Sequence, residues 1–261
     1  VVVALKDKGL DDCEVNGYLQ PMLDVAWSLE EGLDRIPLFN DAGNNVAKSL
    51  QALVSACKEH FGITPEYKSR FIDSGFYIFK QNDWKLIVDA GQPGPAYIPG
   101  HAHCDAMSFE LFKTGKPVVV NCGTYAYQCK ERSFFRSTAA HNTVMVNDTE
   151  QSQCWGAFRM AKRSKVNVVS VSEKSIVIEL MDQRGQTVKR TIQLEKTLKV
   201  TDESGGNKLT AFVHPINDID MTFDGNSETI GQQYAPEYGE LVSLEAVRYE
   251  GNGKISVEIC I

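Results

Sequence analysis

Two periods of apolar spacing divide the chain. Between residues 18 and 60, apolar side chains recur at three and four: Leu19, Met22, Leu23, Ala26, Trp27 and Leu29, then Val46, Leu50, Leu53, Val54 and Cys57. That rhythm matches a helix packed along one face and predicts two helices. The intervening GLDRIPLFNDAGNN is rich in Gly, Pro, Asn and Asp and predicts a loop. From Phe71 onward the period shortens. In GFYIFKQNDWKLIVDAG, two β-branched and aromatic runs flank the turn-forming QND, which predicts a hairpin. PVVVNCG, NTVMVND, KVNVVSVSEKSIVIELMD, TVKRTIQL, TLKVTDES, LTAFVHPI and ISVEICI predict further strands joined by short turns, with no helix-length amphipathic segment among them. The pattern predicts a mainly β protein, an antiparallel β-sandwich preceded by two helices. Two helices are too few for a domain of their own, so they either pack on the sandwich or end a larger helical domain.

Composition narrows the partners. Across 261 residues, 34 acidic and 27 basic side chains leave a net charge of −7, which disfavours nucleic acid and anionic membranes as general partners. The stretch 128–165 runs the other way, with Lys130, Arg132, Arg136, Arg159, Lys162, Arg163 and Lys165 against Glu131, Asp148 and Glu150, a local basic patch able to hold an anion. The 7 cysteines form no CxxC pair, and an odd number cannot close wholly into disulfides within the chain. No apolar run approaches the roughly 20 residues that span a bilayer. The chain opens on Val1, which leaves its natural start and its compartment open.

The candidate chemistry concentrates in GHAHCDAMSFEL (100–111) and AHNTV (140–144), which hold three of the five histidines. Were the first run extended, His101, His103 and Asp105 would share one face and Ala102, Cys104 and Ala106 the other. Two imidazoles and a carboxylate would then converge, with Cys104 turned away from them. His214 in VHPI reads as a structural residue of a strand.

Several linked motifs appear in a fixed order: RIPLFNDA (35–42), GHAHCDAMSFEL, VVVNCGTYAY (118–127), FFRSTAAHNTVMVN (134–147), QSQCWGAFR (151–159) and YAPEYG (234–239). Together they resemble the heparinase II/III family of polysaccharide lyases across nearly the whole chain. Members join an N-terminal (α/α) toroid to a C-terminal antiparallel, supersandwich-like β domain, with the active site in the cleft between them. The resemblance therefore implies that residues 1–70 hold the last toroid helices and a linker, and that 71–261 form the β domain. It also implies that a catalytic Tyr and a carboxylate-neutralising Asn or His lie upstream of this chain, so that the chain alone is inactive.

The implied reaction is β-elimination on a uronate-containing anionic polysaccharide. The C5 proton is removed and the C4 oxygen expelled, which requires a base, a proton donor and neutralisation of the carboxylate. By resemblance His101 is the catalytic histidine of the β domain and Tyr125 a cleft tyrosine. Arg136 and Asn142 are candidates for binding the sugar, with a brace or cap of the AHNT turn as the ordinary alternative. His103 and His141 match positions that hold zinc in some members, with an Asp as third ligand. Here that position is Asn121, a poor ligand that leaves the cation uncompensated. Either the metal binds weakly, or Asp105 supplies the charge, or the side chains bond to one another without metal. A zinc ion here would orient strands and not activate water. A cupin-like metalloenzyme and a non-catalytic carbohydrate-binding or assembly domain are the competing readings. A homo-oligomer stays open, as do the particular glycan and the compartment, although lyases of exogenous glycans are as a rule periplasmic or secreted.

Overall fold

The computed structural model describes residues 13–261. Helix α1 (Cys13–Glu30) and helix α2 (Leu50–Phe61) occupy the two segments with helical spacing. The start of α2 is capped by Ser49, whose Oγ accepts the Ala52 N–H at 3.3 Å. Its end is closed by Gly62 at φ 68°, whose N–H reaches the Lys58 carbonyl. The linker after α2 is tied back to α1 through Asp24, which accepts the Glu66 N–H and pairs with Lys68.

The remainder is antiparallel sheet. One sheet runs β1 (Arg70–Phe71), β2 (Phe76–Gln81), β3 (Trp84–Asp89), β4 (Phe109–Lys113) and β5 (Lys116–Val119) in chain order. The short helix α3 (Arg132–Phe135) and a 3-10 turn (Thr138–Ala140) follow, then β6 (Val144–Val146) and the small hairpin β7 (Gln153–Trp155) with β8 (Arg159–Ala161). The larger sheet contains β9 (Lys165–Val171), β10 (Ser175–Met181), β11 (Thr187–Leu194), β12 (Thr197–Val213), β13 (Met221–Asp224), β14 (Asn226–Tyr234) and β15 (Val242–Cys260). Its order is β13-β15-β12-β11-β10-β9, with β14 also on β15 and β6 on β12.

The alternation of side chains decides how the sheets face. In β10, Ile176, Ile178 and Leu180 point inward, and in β11 so do Val188, Ile192 and Leu194. They meet Tyr77, Phe79, Leu86, Val88, Phe109 and Leu111 of the smaller sheet in one core. Each large apolar side chain so buried contributes roughly 1.5–3 kcal/mol. The sandwich predicted from the strand pattern is the observed fold. β3 is buried on both faces because Ile78, Ile87 and Phe112, on the outer side of the smaller sheet, pack beneath Phe39, Leu29 and Leu33. Thus α1 and the loop after it cover that sheet. Gly123 marks the closest approach of the 118–127 segment to the 234–239 loop: at φ 77°, a Cβ there would stand 2.4 Å from the Ala235 carbonyl.

Three expectations differ. Residues 101–108 form an irregular loop and not a strand; β4 begins only at Phe109, beyond Met107 at φ 63°. Their side chains follow no two-face alternation, since Ala102, His103, Cys104, Asp105 and Ala106 are all buried while His101 is exposed. TLKVTDES and LTAFV merge into the single strand β12, with a register shift between Glu203 and Lys208. The polar, largely exposed β14 escapes a reading based on apolar period.

Candidate active site

The site is assembled from the loop before α2, the loop before β4, α3 and the turn before β6. Its centre is Asp41. The RIPLFNDA loop is held against the sandwich by buried Leu38 and Phe39 and by hydrogen bonds that cross between segments. The Asn40 N–H donates to Asp105 Oδ2 at 2.8 Å, and Asn40 Oδ1 accepts the His103 N–H. Held in this way, Asp41 accepts from His103 Nε2 at 2.8 Å and pairs with His101 Nδ1 at 2.8 Å. Arg132 on α3 grips both carboxylate oxygens, Nη2 at 2.8 Å from Oδ2 and Nη1 on Oδ1. Burial alone would raise the Asp41 carboxyl. The hydrogen bonds from His103 and Arg132 overcome that and hold it well below the usual carboxylate range. Asp41 is therefore an ionised, buried hub.

The two histidines on this hub differ in access. The His101 side chain is 67% exposed, whereas that of His103 is fully enclosed. Asp41 takes the Nδ1 side of His101, and no hydrogen bond from the described residues engages Nε2. His103 Nδ1 instead faces His141 Nε2 at 3.2 Å, and His141 Nδ1 donates to the Ser137 carbonyl at 2.8 Å. The three contacts Asp41–His103, His103–His141 and His141–Ser137 call for three protons, but two neutral imidazoles carry only two. With the outer N–H groups assigned to Asp41 and Ser137, two nitrogen lone pairs face each other; with His103 Nε2 instead accepting from Arg132 Nη1 at 3.3 Å, His103 Nδ1–H donates to His141 and its Nε2 lone pair faces the Asp41 carboxylate. Burial pushes His103 down to about 4 and His141 to about 3, so an added proton does not resolve the conflict near neutrality.

A cation between the two nitrogens would resolve it. Two nitrogens bound tetrahedrally to zinc at about 2.0–2.1 Å stand about 3.3 Å apart, close to the separation here. Asp105 completes a group in which one donor atom from each of His103, Asp105 and His141 lies within 4.8 Å of the others. Asp41 and the Ser137 carbonyl occupy the outer imidazole nitrogens, as partners of metal-bound histidines do. The residues present fit a zinc ion.

Asn121 is otherwise employed. Its Oδ1 accepts the Asn142 N–H at 3.0 Å and its Nδ2 is buried without a partner. Asn142 is itself fully buried, donating to the Phe109 carbonyl and accepting from the N–H and ring of His214. It ties β4 to His214, the residue after β12, and its enclosed amide is not open to a sugar. Arg136, 1% exposed, spends its guanidinium on the carbonyls of Ala102, Gly156 and Arg159, which makes it the brace of the His101 loop and not an anion-binding residue. Tyr125 packs against Cys122, Phe135, Ala140 and Ala235. Of the two tyrosines it is Tyr127 whose ring meets His101, with centroids 5.9 Å apart. His214 is structural, as expected, and Cys104 turns from His103 toward Ser152 and Cys154.

Reading the sequence for histidine clusters missed Asp41 and Arg132. Both lie in segments with recognisable motifs, RIPLFNDA and the basic stretch, but nothing in their spacing from His101 announces that the loops meet. It missed Arg190 as well. This fully buried guanidinium pairs with Asp202 at 2.7 Å and 2.8 Å and donates to the carbonyls of Met107 and Asn142, so the larger sheet carries the loops of the site on a charged strut.

A β-sandwich bearing an exposed, carboxylate-held histidine beside a compact His–His–Asp group is the class of fold and site seen here. Residues 63–251 match the family described as Heparinase II/III-like, C-terminal; the chain belongs to that family. A heparin-sulfate lyase of Bacteroides stercoris is 34% identical in an alignment of 103 residues that covers 35% of this chain and 15% of that protein. Among solved structures, a heparinase III gene product with methylated lysines superposes with a TM-score of 0.78 at 15% identity, covering 97% of this chain and 47% of that one. The heparan sulfate lyase HepC from Pedobacter heparinus gives 0.71 at 14% identity, covering 97% of this chain and 48% of the other. The chain thus spans about half the length of these structures, and at such identity the likeness shows a shared fold.

Proposed function

We propose that this chain supplies the β-domain wall of the active site in a polysaccharide lyase that cleaves a uronate-containing anionic glycan by β-elimination. The observation that carries the proposal is the exposed His101 imidazole held through Nδ1 by buried, ionised Asp41. Orientation by a carboxylate together with a largely exposed ring is what a proton-transferring imidazole needs.

In the proposed reaction, the C5 proton passes to a base; the electron pair left on C5 forms the C4–C5 double bond as the C4–O bond breaks, and the departing oxygen, which keeps that bond's pair, takes a proton. His101 is suited to move one of these protons through Nε2, because Asp41 fixes which nitrogen carries hydrogen and stabilises the imidazolium once formed. Arg132 shares the Asp41 charge and keeps the carboxylate in place. Zinc, held by His103, His141 and Asp105, would supply a fixed positive charge and rigidity behind this wall. By family resemblance the remaining groups, a Tyr and a carboxylate-neutralising Asn or His, come from a toroid portion, and α1 and α2 are its last helices.

The test is ultraviolet detection of the conjugated double bond left on the new non-reducing end. The full-length natural protein should generate it from one or more uronate polymers, and His101→Ala should slow it by about 10²–10⁴-fold, the usual weight of a positioned acid or base. A folded full-length protein that yields no unsaturated product from any such polymer would overturn the reading.

A further inference from the structure

A corner of aromatic rings stands beside His101. Tyr127 follows the GTY segment, Phe158 sits in the turn between β7 and β8, and Tyr238 belongs to the 234–239 loop. Tyr127 lies 5.2 Å from Phe158 and 5.4 Å from Tyr238 between centroids, with the rings inclined at 55° and 60°. Both His101–Tyr127 and His101–Phe158 are edge contacts, at 5.9 Å and 5.7 Å. Inclined rings cannot cover one another's faces. Phe158 and Tyr238 remain 40% and 42% exposed, although three separate loops have brought them together.

Two more features mark this corner. The Arg132 guanidinium stands 5.2 Å from the Tyr127 centroid and 5.8 Å from that of Phe158, a cation–π contact that holds both rings in place while the same guanidinium grips Asp41. Beside Tyr127 opens a hollow of about 410 Å³, bordered by Lys130, Arg132, Ser133 and Gly156. The Lys130 side chain is 91% exposed and stands 3.7 Å from Glu131. Open aromatic surface therefore adjoins the group proposed to face the reacting sugar, and an exposed ammonium borders the hollow beside Tyr127.

We propose that Tyr127, Phe158 and Tyr238 form a stacking subsite for the pyranose next to the one at His101, with Lys130 meeting an anionic substituent of the chain, carboxylate or sulfate. A pyranose presents an apolar C–H face that lies on an aromatic ring, and its hydroxyl edge stays wet; half-exposed aromatics suit that ligand better than a dry core does. The proposal rests on the reading of His101 as substrate-facing.

The experiment uses the full-length natural protein. Binding of a size-defined uronate oligosaccharide, sulfated and unsulfated, is measured by calorimetry on a His101→Ala background to prevent turnover, and KM and kcat are measured with His101 intact. Phe158→Ala and Tyr238→Ala should each raise Kd and KM by about 5- to 20-fold with kcat changed by less than about 2-fold. Tyr238→Phe, which keeps the ring, should restore binding. Lys130→Ala should weaken binding and flatten its salt dependence, for both oligosaccharides if the carboxylate is the contact and for the sulfated one alone if it is sulfate. Phe158→Leu and Tyr238→Leu retain apolar bulk without a ring face and serve if the alanine variants melt early. Folded ring-deleted variants with unchanged Kd overturn the subsite, as does a loss confined to kcat, which would mean that the rings only position His101. Ring-dependent binding without any unsaturated product would overturn the lyase reading and leave the subsite standing.

Discussion

His103 and His141 face each other nitrogen to nitrogen across 3.2 Å, each with its other nitrogen already engaged. With both outer N–H groups given to Asp41 and Ser137, two neutral rings lack a proton between them, and the spacing suits two ligands of one tetrahedral cation. Zinc should raise the melting temperature of the metal-stripped protein in a concentration-dependent way, by mass action on the folded state. His141→Ala should abolish that response, and one zinc per chain should be found by elemental analysis. A metal-free protein whose melting is indifferent to zinc would show that the group is a hydrogen-bonded cluster alone.

Asp41 is the counter-ion of Arg132 and the common hydrogen-bond partner of His101 and His103. Asp41→Asn keeps the shape but leaves the buried Arg132 guanidinium without its anion, and losing one partner of a buried pair costs about 3–5 kcal/mol. Chemical denaturation should register a loss of that order. Product formation by the full-length protein should fall with it, beyond what reduced folding explains.

Asp202→Asn should be comparably destabilising. The change strips the charge from the partner of Arg190, which is wholly buried and also holds the Met107 and Asn142 carbonyls. Replacing Arg190 and Asp202 together by apolar residues should recover part of the stability lost. It should not recover activity, because the two carbonyls of the site loops then lose their donor.

Glu110 offers a pH test away from the histidines. Burial pushes its carboxyl up to about 7, against the moderating pull of Arg35 and the N–H groups of Asn121 and Leu38, and Oε2 has no partner. With the folded value above the unfolded one, the folded state binds more protons between about pH 4.5 and 7. Stability from this group is therefore present below that window and lost as pH rises through it, by up to roughly 3 kcal/mol. Glu110→Gln should melt with a flatter pH profile, and its advantage over the parent should grow from pH 5 to pH 8. Parallel profiles for the two proteins would show that Glu110 is ionised throughout.

Much of the architecture was legible before any coordinate. The three-and-four spacing of Leu19, Leu23 and Trp27 and the strict alternation of Ile176, Ile178 and Leu180 follow from local geometry, because 3.6 and 2 are the periods at which one side of a helix or strand returns to the core. His101, His103 and His141 stood out for the same reason: they are close in sequence, within linked motifs.

What lay beyond the sequence was the identity of their partners. Asp41 is 60 residues from His101 and Arg132 is 91 from Asp41, separations whose meeting depends on how loops close over a finished sandwich. The same closure separated two tyrosines that a strand would have placed on one face, laying half-buried Tyr125 against a small core and Tyr127 beside His101. It also buried Arg136 and Asn142, whose donors and acceptors were needed by carbonyl, amide and imidazole groups of the loops themselves. By itself the sequence determined the elements and the residue types available for chemistry. Only the tertiary structure decided which of them are spent on the fold and which remain open to a substrate, because buried polar groups must be paired and that accounting closes across the whole molecule.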